Sequence, residues 1–190
     1  MDIDAGGVAA DAARVSLADL LVALATFGLL AAAAFTLLDE GQRVWAFGAA
    51  RAEAQQSGRV ALARLAGEIR SAGRGGSAFA AVAVAAPDEI VLQQDLDGDG
   101  IIFANGERVR WRLAGAVLRR DAGGGAQPIV NGVRALTLTY FDAAGAPTTT
   151  PAAVRAVEVV LVTGPDSSVP GAAASTASTV LTTRVRLRNR

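Results

Sequence analysis

Asp95, Asp97 and Asp99 set three carboxylates at alternate positions of one short stretch, and Gly100 follows them. Oxygen ligands at the first, third and fifth positions of a loop, with glycine at the sixth for a sharp turn, form the first half of a calcium-binding loop. Ile101 would add a backbone carbonyl at the seventh position. Glu107 would add the closing carboxylate, one residue late, since the twelfth position is Gly106. Ile102 offers an apolar side chain to pin the loop to a core. Three carboxylates this close repel one another unless a cation binds or solvent screens them. The stretch therefore reads either as a structural Ca²⁺ site or as a plain acidic hairpin turn. Little other chemistry is on offer. The chain has no Cys and no His, which removes zinc sites of the usual ligands, thiol chemistry and nucleophiles that need an imidazole base. A carboxylate-pair mechanism needs only Asp and Glu, but no feature favours it. The expectation is that the chain is not an enzyme.

Every basic residue is Arg. Arg184, Arg186 and Arg188 alternate near the end of the chain, as Arg108, Arg110 and Arg112 do earlier. Side by side, two such stripes would make a basic face for phosphate. No aromatic residues interleave with them to stack on bases, and strand edges also carry charge to block unwanted pairing. A solvated edge is the stronger reading, and DNA is not favoured as a partner. The net charge of zero hides an asymmetry: residues 1–100 hold 7 Arg against 13 acids, and residues 101–190 hold 11 Arg against 5 acids. Such a separation can guide head-to-tail packing or meet an acidic partner. A local acidic turn and solvated strand faces give the same balance, and that plainer account is preferred.

The element that organises the chain is apolar. Residues 20–38 run for nineteen positions without a charge, bounded by Asp19 and by Asp39 with Glu40. As a helix this run is about 28 Å long, enough for a bilayer core of roughly 30 Å. It is too long, and its flanks are wrong, for a cleaved secretory signal. Helix-compatible sequence continues to about Ala72, with no Pro before Pro87. Val44, Phe47, Leu62, Leu65, Ile69 and Ala72 recur at three- and four-residue spacing and mark one apolar stripe. Gly41 and Gly58 are weak points of up to about 1 kcal/mol each against Ala. The glycines from Gly73 onward end the helix.

From Ala78 the apolar period changes to two. Strands are expected around Val82 and Val84, Ile90 to Leu92, Arg108 to Leu113, Val117 to Arg119, Leu136 to Phe141, Val157 to Leu161, and from Leu181 to the end. Residues 166–178, rich in Ser, Ala, Gly and Pro, read as a flexible loop. With aromatics only 5% of the chain, the core must come from Val, Leu, Ile and Ala. The fold class is α+β, with an antiparallel meander packed on the helix's amphipathic half. The expected organisation is a leader-like segment 1–14, a transmembrane and spine helix 15–72, and a β-rich headgroup 73–190.

Residues 15–25, VSLADLLVALA, leading into a long apolar helix and then a β domain, resemble the start of a type IV prepilin. The stretch 64–73, RLAGEIRSAG, the Asp-rich turn and the terminal TTRVRLRN are similar to PilW-like minor pilins and J-type minor pseudopilins. The family motif covers about twenty-five residues; the rest is a weaker pattern along the chain. In that family a peptidase cuts a short leader after Gly, and a Glu stands five residues into the new chain. Here Arg14 and Val15 occupy the expected junction and Asp19 the carboxylate position. Arg14 stands for Gly, Val15 for an aromatic residue, and Asp19 is one methylene shorter than Glu.

The resemblance implies a pilin-like fold and a minor pilin or pseudopilin, a structural subunit of a type IV pilus or type II secretion filament that primes assembly or sits at the tip. It implies as partners other minor pilins or pseudopilins, the major pilin, the inner membrane and the prepilin peptidase. It places the chain in the bacterial inner membrane as a single-pass protein, with its C-terminal domain in the periplasm or on a surface filament. A carboxylate at Asp19 is costly near lipid, and the freed amine of a neighbouring subunit would neutralise it and set axial register. The plainer reading of Asp19 is an interfacial residue bounding the anchor. The plainer reading of the whole is a single-pass membrane protein with a calcium-stabilised β domain that enters no filament.

Overall fold

The computed structural model describes residues 16–76, 78–103, 105–166 and 177–189. Arg14, Val15, the leader-like segment 1–14 and most of the loop 166–178 lie outside them. The described residues are α+β: one α-helix, α1 (Leu17–Ser71), precedes eight antiparallel strands. It divides into two compact units, Met1–Gln42 and Arg43–Arg190, so the second half of α1 belongs with the strands.

In the first unit α1 starts with a reciprocal cap. The Ser16 N–H donates to Asp19 Oδ2 at 3.1 Å, and the Asp19 N–H donates to Ser16 Oγ at 3.2 Å. This is a capping box with Asp in place of the usual Glu, and it satisfies two amides that a helix start otherwise leaves orphaned. Beyond it the helix is apolar on every side, with Leu20, Phe27, Leu30, Phe35 and Leu38 all exposed. The hydroxyls of Thr26 and Thr36 donate back to carbonyls one turn earlier (Val22 and Ala32, 3.0 and 2.9 Å). Polar groups satisfied within the helix are what a hydrocarbon environment demands. Among the described residues this is the one helix long and apolar enough to cross a membrane.

In the second unit, α1 buries Ala54, Gly58, Ala61, Leu65 and Ile69, a face repeating at three and four residues. This corrects the expected stripe at its start: Val44 is 71% exposed. The buried face is made largely of Ala and Gly because backbones approach closely there. A Cβ on Gly58 would lie 2.8 Å from Leu181 Cδ1 and 3.1 Å from Thr163 Cγ2.

The strands form two sheets. β1 (Val82–Ala85), β2 (Glu89–Gln93), β3 (Arg108–Ala114), β4 (Val117–Asp121) and β5 (Gln127–Val130) make a meander in chain order. β6 (Val133–Phe141), β7 (Ala156–Thr163) and β8 (Thr179–Arg186) make a second one. A single core joins α1 to both sheets, with Leu65, Ile69, Ile90, Trp111, Val159 and Leu161 among its buried members. β5 was not expected from the sequence. It carries Pro128, which lacks a ladder donor, and it lies at a sheet edge where that is tolerated.

Polar contacts fix the end of α1. The Asn189 side-chain amide donates to the carbonyls of Arg70, Ser71 and Ala72 at 3.4, 3.1 and 3.3 Å. These are carbonyls at the helix end, where intrahelical donors run out; Ser71 O also accepts the Arg74 N–H at 3.1 Å. Gly73, at φ 79°, turns the chain out of the helix, and its N–H donates to Gln93 O at 2.8 Å. One turn earlier, Glu68 accepts from Trp111 Nε1 on β3 and from Arg120 Nε on β4 at 2.7 Å.

Candidate functional site

The acidic stretch between β2 and β3 is a tight loop held by its own carboxylates. Asp95 is buried; its Oδ1 accepts the Gly98 N–H at 2.6 Å and its Oδ2 the Gly100 N–H at 3.0 Å. Asp97 Oδ1 accepts the Asp99 N–H (3.2 Å), and Asp99 Oδ1 accepts the Ile101 N–H (2.7 Å). Gly100 takes φ 80°, the left-handed conformation the turn needs. The Asp95 N–H donates to Arg74 O at 2.8 Å, which ties the loop to the turn that ends α1.

Asp95, Asp97 and Asp99 each direct one carboxylate oxygen to within 4.8 Å of the others. Calcium–oxygen bonds of about 2.3–2.6 Å let ligands on one ion stand up to about 5 Å apart, so these three donors fit a single cation. Asp97 shows the cost of bringing them together. The Asp99 N–H lowers its pKa, but desolvation and the charges of Asp99, Glu107 and Asp95 outweigh that and raise it above its ordinary value.

Glu107 is the fully buried carboxylate of the loop. Its Oε1 accepts the Leu96 N–H at 2.9 Å and its Oε2 the Phe103 N–H at 3.0 Å. The sequence offered it as the closing ligand of a calcium loop; here both of its oxygens bond the backbone, and the clustered donors are Asp95, Asp97 and Asp99. Ile101 is exposed and Ile102 is half-buried, bounding an outer cleft with Val84 and Val91.

Asp19 lies exposed in the first turn of α1 and is engaged with Ser16 as described. The two arginine stripes do not form one face. Arg108, Arg110 and Arg112 are on β3 inside the first sheet, while Arg184 and Arg186 are on β8 at the edge of the second. Arg188 follows that strand and is exposed. Arg110 is paired across the ladder with Glu89, Nη2 to Oε2 at 2.7 Å, and the pairing raises its pKa. Arg184 lays its guanidinium carbon 3.8 Å above the Phe141 ring, a cation–π contact. Sequence reasoning missed that ring, because register and not spacing brings β6 beside β8 across β7.

It also missed Glu68 and Tyr140. The Tyr140 hydroxyl is shared between the carbonyls of Ala86 (2.7 Å) and Glu89 (3.0 Å). Burial, helped by the nearby charges of Asp88 and Glu89, holds its proton well above the ordinary tyrosine range. Beyond the Arg64–Glu68 pair one turn apart on α1, nothing local in the sequence marks either residue, since their other partners are distant in the chain. No family model matches the chain, and comparison with curated proteins finds no significant match.

Proposed function

We propose that the chain is a minor pilin or pseudopilin, a membrane-anchored structural subunit of a type IV pilus or type II secretion filament, and that it catalyses no reaction. The observation that carries this reading is α1. It is one uninterrupted 55-residue helix, apolar and exposed through its first half, and packed against antiparallel sheets through its second. A static anchor needs only a spanning segment, whereas a filament subunit uses the same helix as an anchor in lipid and as a spine beside its neighbours. In this reading the peptidase cuts between Arg14 and Val15. Asp19 then meets the amine of an adjoining subunit, and the partners are other minor pilins, the major pilin and the inner membrane. The C-terminal unit stands in the periplasm or on a surface filament. A calcium ion held by Asp95, Asp97 and Asp99 would neutralise the loop and stiffen that unit; Glu107 and the Ile101 carbonyl complete the candidate set.

Intact mass and N-terminal sequencing of the protein extracted from its native membrane test the reading. The expected chain starts at Val15 and is recovered in sheared filaments. An Asp19→Ala variant should be processed yet left in the membrane, and Asp19→Glu should restore incorporation. A mature chain that keeps Arg14 would leave a single-pass protein with a calcium-stabilised β domain as the reading in its place.

A further inference from the structure

β8 is an edge strand: among the described residues it pairs with β7 alone, in a register that runs without a shift. The phase of that ladder is fixed just beyond it. Leu187 and Arg155 extend the register by one pair, and the Leu187 N–H donates to Arg155 O at 2.9 Å. In an antiparallel ladder bonded pairs alternate with unbonded ones, so Leu181, Thr183 and Val185 bond β7. Val180, Thr182, Arg184 and Arg186, all exposed, turn their N–H and C=O groups away from it along the open edge. Edges are ordinarily guarded by charge, but here the charge leans the other way. The Arg184 guanidinium carbon lies 3.8 Å above the ring of Phe141 on β6, across β7 from its own strand. Arg186 lines, with Arg184 and Arg155, an open cleft of about 450 Å³ beside the Asp142 turn that joins β6 to β7. Among the described residues neither Arg184 nor Arg186 is in an ion pair, and β8 holds no acid.

We propose that the β8 edge takes an added strand from a different subunit of the filament, an extended segment with acidic side chains at alternate positions. Strand addition draws affinity from the main chain and specificity from alternate side chains. The outward groups of Val180, Thr182, Arg184 and Arg186 bond the incoming backbone, and carboxylates on its outer face stand beside Arg184 and Arg186. Charge complementarity selects that occupant over a second copy of this chain, whose β8 brings further arginine and no acid. The proposal rests on the filament reading for the source of the occupant; the open edge does not depend on it.

The full-length protein is purified in detergent and its amide exchange read residue by residue by NMR, alone and with a synthetic peptide of alternating valine and glutamate. Alone, the amides of Val180, Thr182, Arg184 and Arg186 should exchange fast, and those of Leu181, Thr183 and Val185 slowly. Protection of both sets would show the edge already covered and overturn the proposal. The peptide should slow the first set, and one of alternating valine and lysine should bind about tenfold more weakly. Both readouts use the unaltered chain. Peptide binding that leaves those amides fast would reduce the contact to charge on the outer face and overturn strand addition. Thr182→Pro removes one outward donor and no bond to β7, a change an edge position tolerates. It should weaken the valine/glutamate peptide about tenfold while Leu181 and Thr183 stay protected. In the native membrane, Thr182→Pro chains should be cut before Val15 yet left out of sheared filaments. Processed Thr182→Pro chains that enter filaments as the parent does would overturn the edge as a subunit contact and leave the filament reading standing. Parent chains that keep Arg14 would instead overturn the filament reading, and with it the source of the occupant, whatever the peptides do at the edge.

Discussion

At Glu68 a helix carboxylate is called on by two strands at once, and its value lies in what it leaves behind when removed. Its side chain and that of Arg120 are 18% and 20% exposed. Glu68→Gln therefore strands a mostly desolvated guanidinium and weakens the Trp111 contact. Removing one partner of a buried pair costs about 3–5 kcal/mol, and partial solvent access reduces that to about 2 kcal/mol here. Denaturant unfolding in detergent, followed by the fluorescence of buried Trp111, should show that loss; a change under about 0.5 kcal/mol would mean the pair is solvated. Tyr140 makes a prediction with a pH sign. The unfolded chain releases this proton near the ordinary value of 10.0, and the folded chain holds it to higher pH. Between the two, the folded state binds more protons, so its stability falls as pH rises above 10. Tyr140→Phe should cost about 1 kcal/mol at neutral pH through the donor lost at the Ala86 carbonyl, since Glu89 O keeps the Ala86 N–H at 2.9 Å. The same variant should flatten the alkaline fall seen in the parent, and an alkaline limb of unchanged slope would remove Tyr140 as its cause.

Two glycines of α1 separate helix propensity from packing. Gly67 is exposed, and a Cβ there meets nothing within 4 Å, while one at Gly58 runs into Leu181 and Thr163. Gly67→Ala should raise stability by about 0.5–1 kcal/mol. Gly58→Val should lower it by about 1–3 kcal/mol, because the sheet must yield. Thermal unfolding of both variants under one condition checks the opposite signs; equal gains would show that α1 stands off β8. The same positions explain what the sequence could tell. The length of α1, its end at the glycines and seven strands were legible because each rests on local periodicity. The buried face was legible only from Leu65 onward. Toward the N-terminus it is Ala54, Gly58 and Ala61, small residues that hydropathy weights lightly, so Val44 and Phe47 attracted the reading instead. β5 was hidden by Pro128, whose cost vanishes only at an edge, and edge position is a property of the sheet.

For the whole molecule the acidic loop is the point where local chemistry and global stability meet. The three aspartates were legible as a donor set because alternate spacing alone brings them together. Glu107's grip on two loop amides was not, because it needs the β2–β3 ladder to bring residues 96 and 107 side by side. The loop is tied to the end of α1 through Asp95 and Arg74, so stiffening the loop also braces the junction between spine and sheets. Without a cation the neighbouring charges of Asp99, Glu107 and Asp95 work against an ionised Asp97. Asp97's pKa is raised, so its contribution to stability is present below its unfolded value of 3.8 and lost as pH rises through its folded one. Two outcomes of opposite sign follow for Asp97→Asn at neutral pH. In chelator the variant should melt above the parent, because one of the repelling charges has gone. In calcium the parent should gain about 2.7 kcal/mol at a hundredfold excess over its dissociation constant and so overtake the variant, which responds weakly. Melting curves of both proteins with and without calcium decide the matter. A parent whose midpoint ignores calcium while the variant is stabilised in both conditions would leave an acidic turn and no ion.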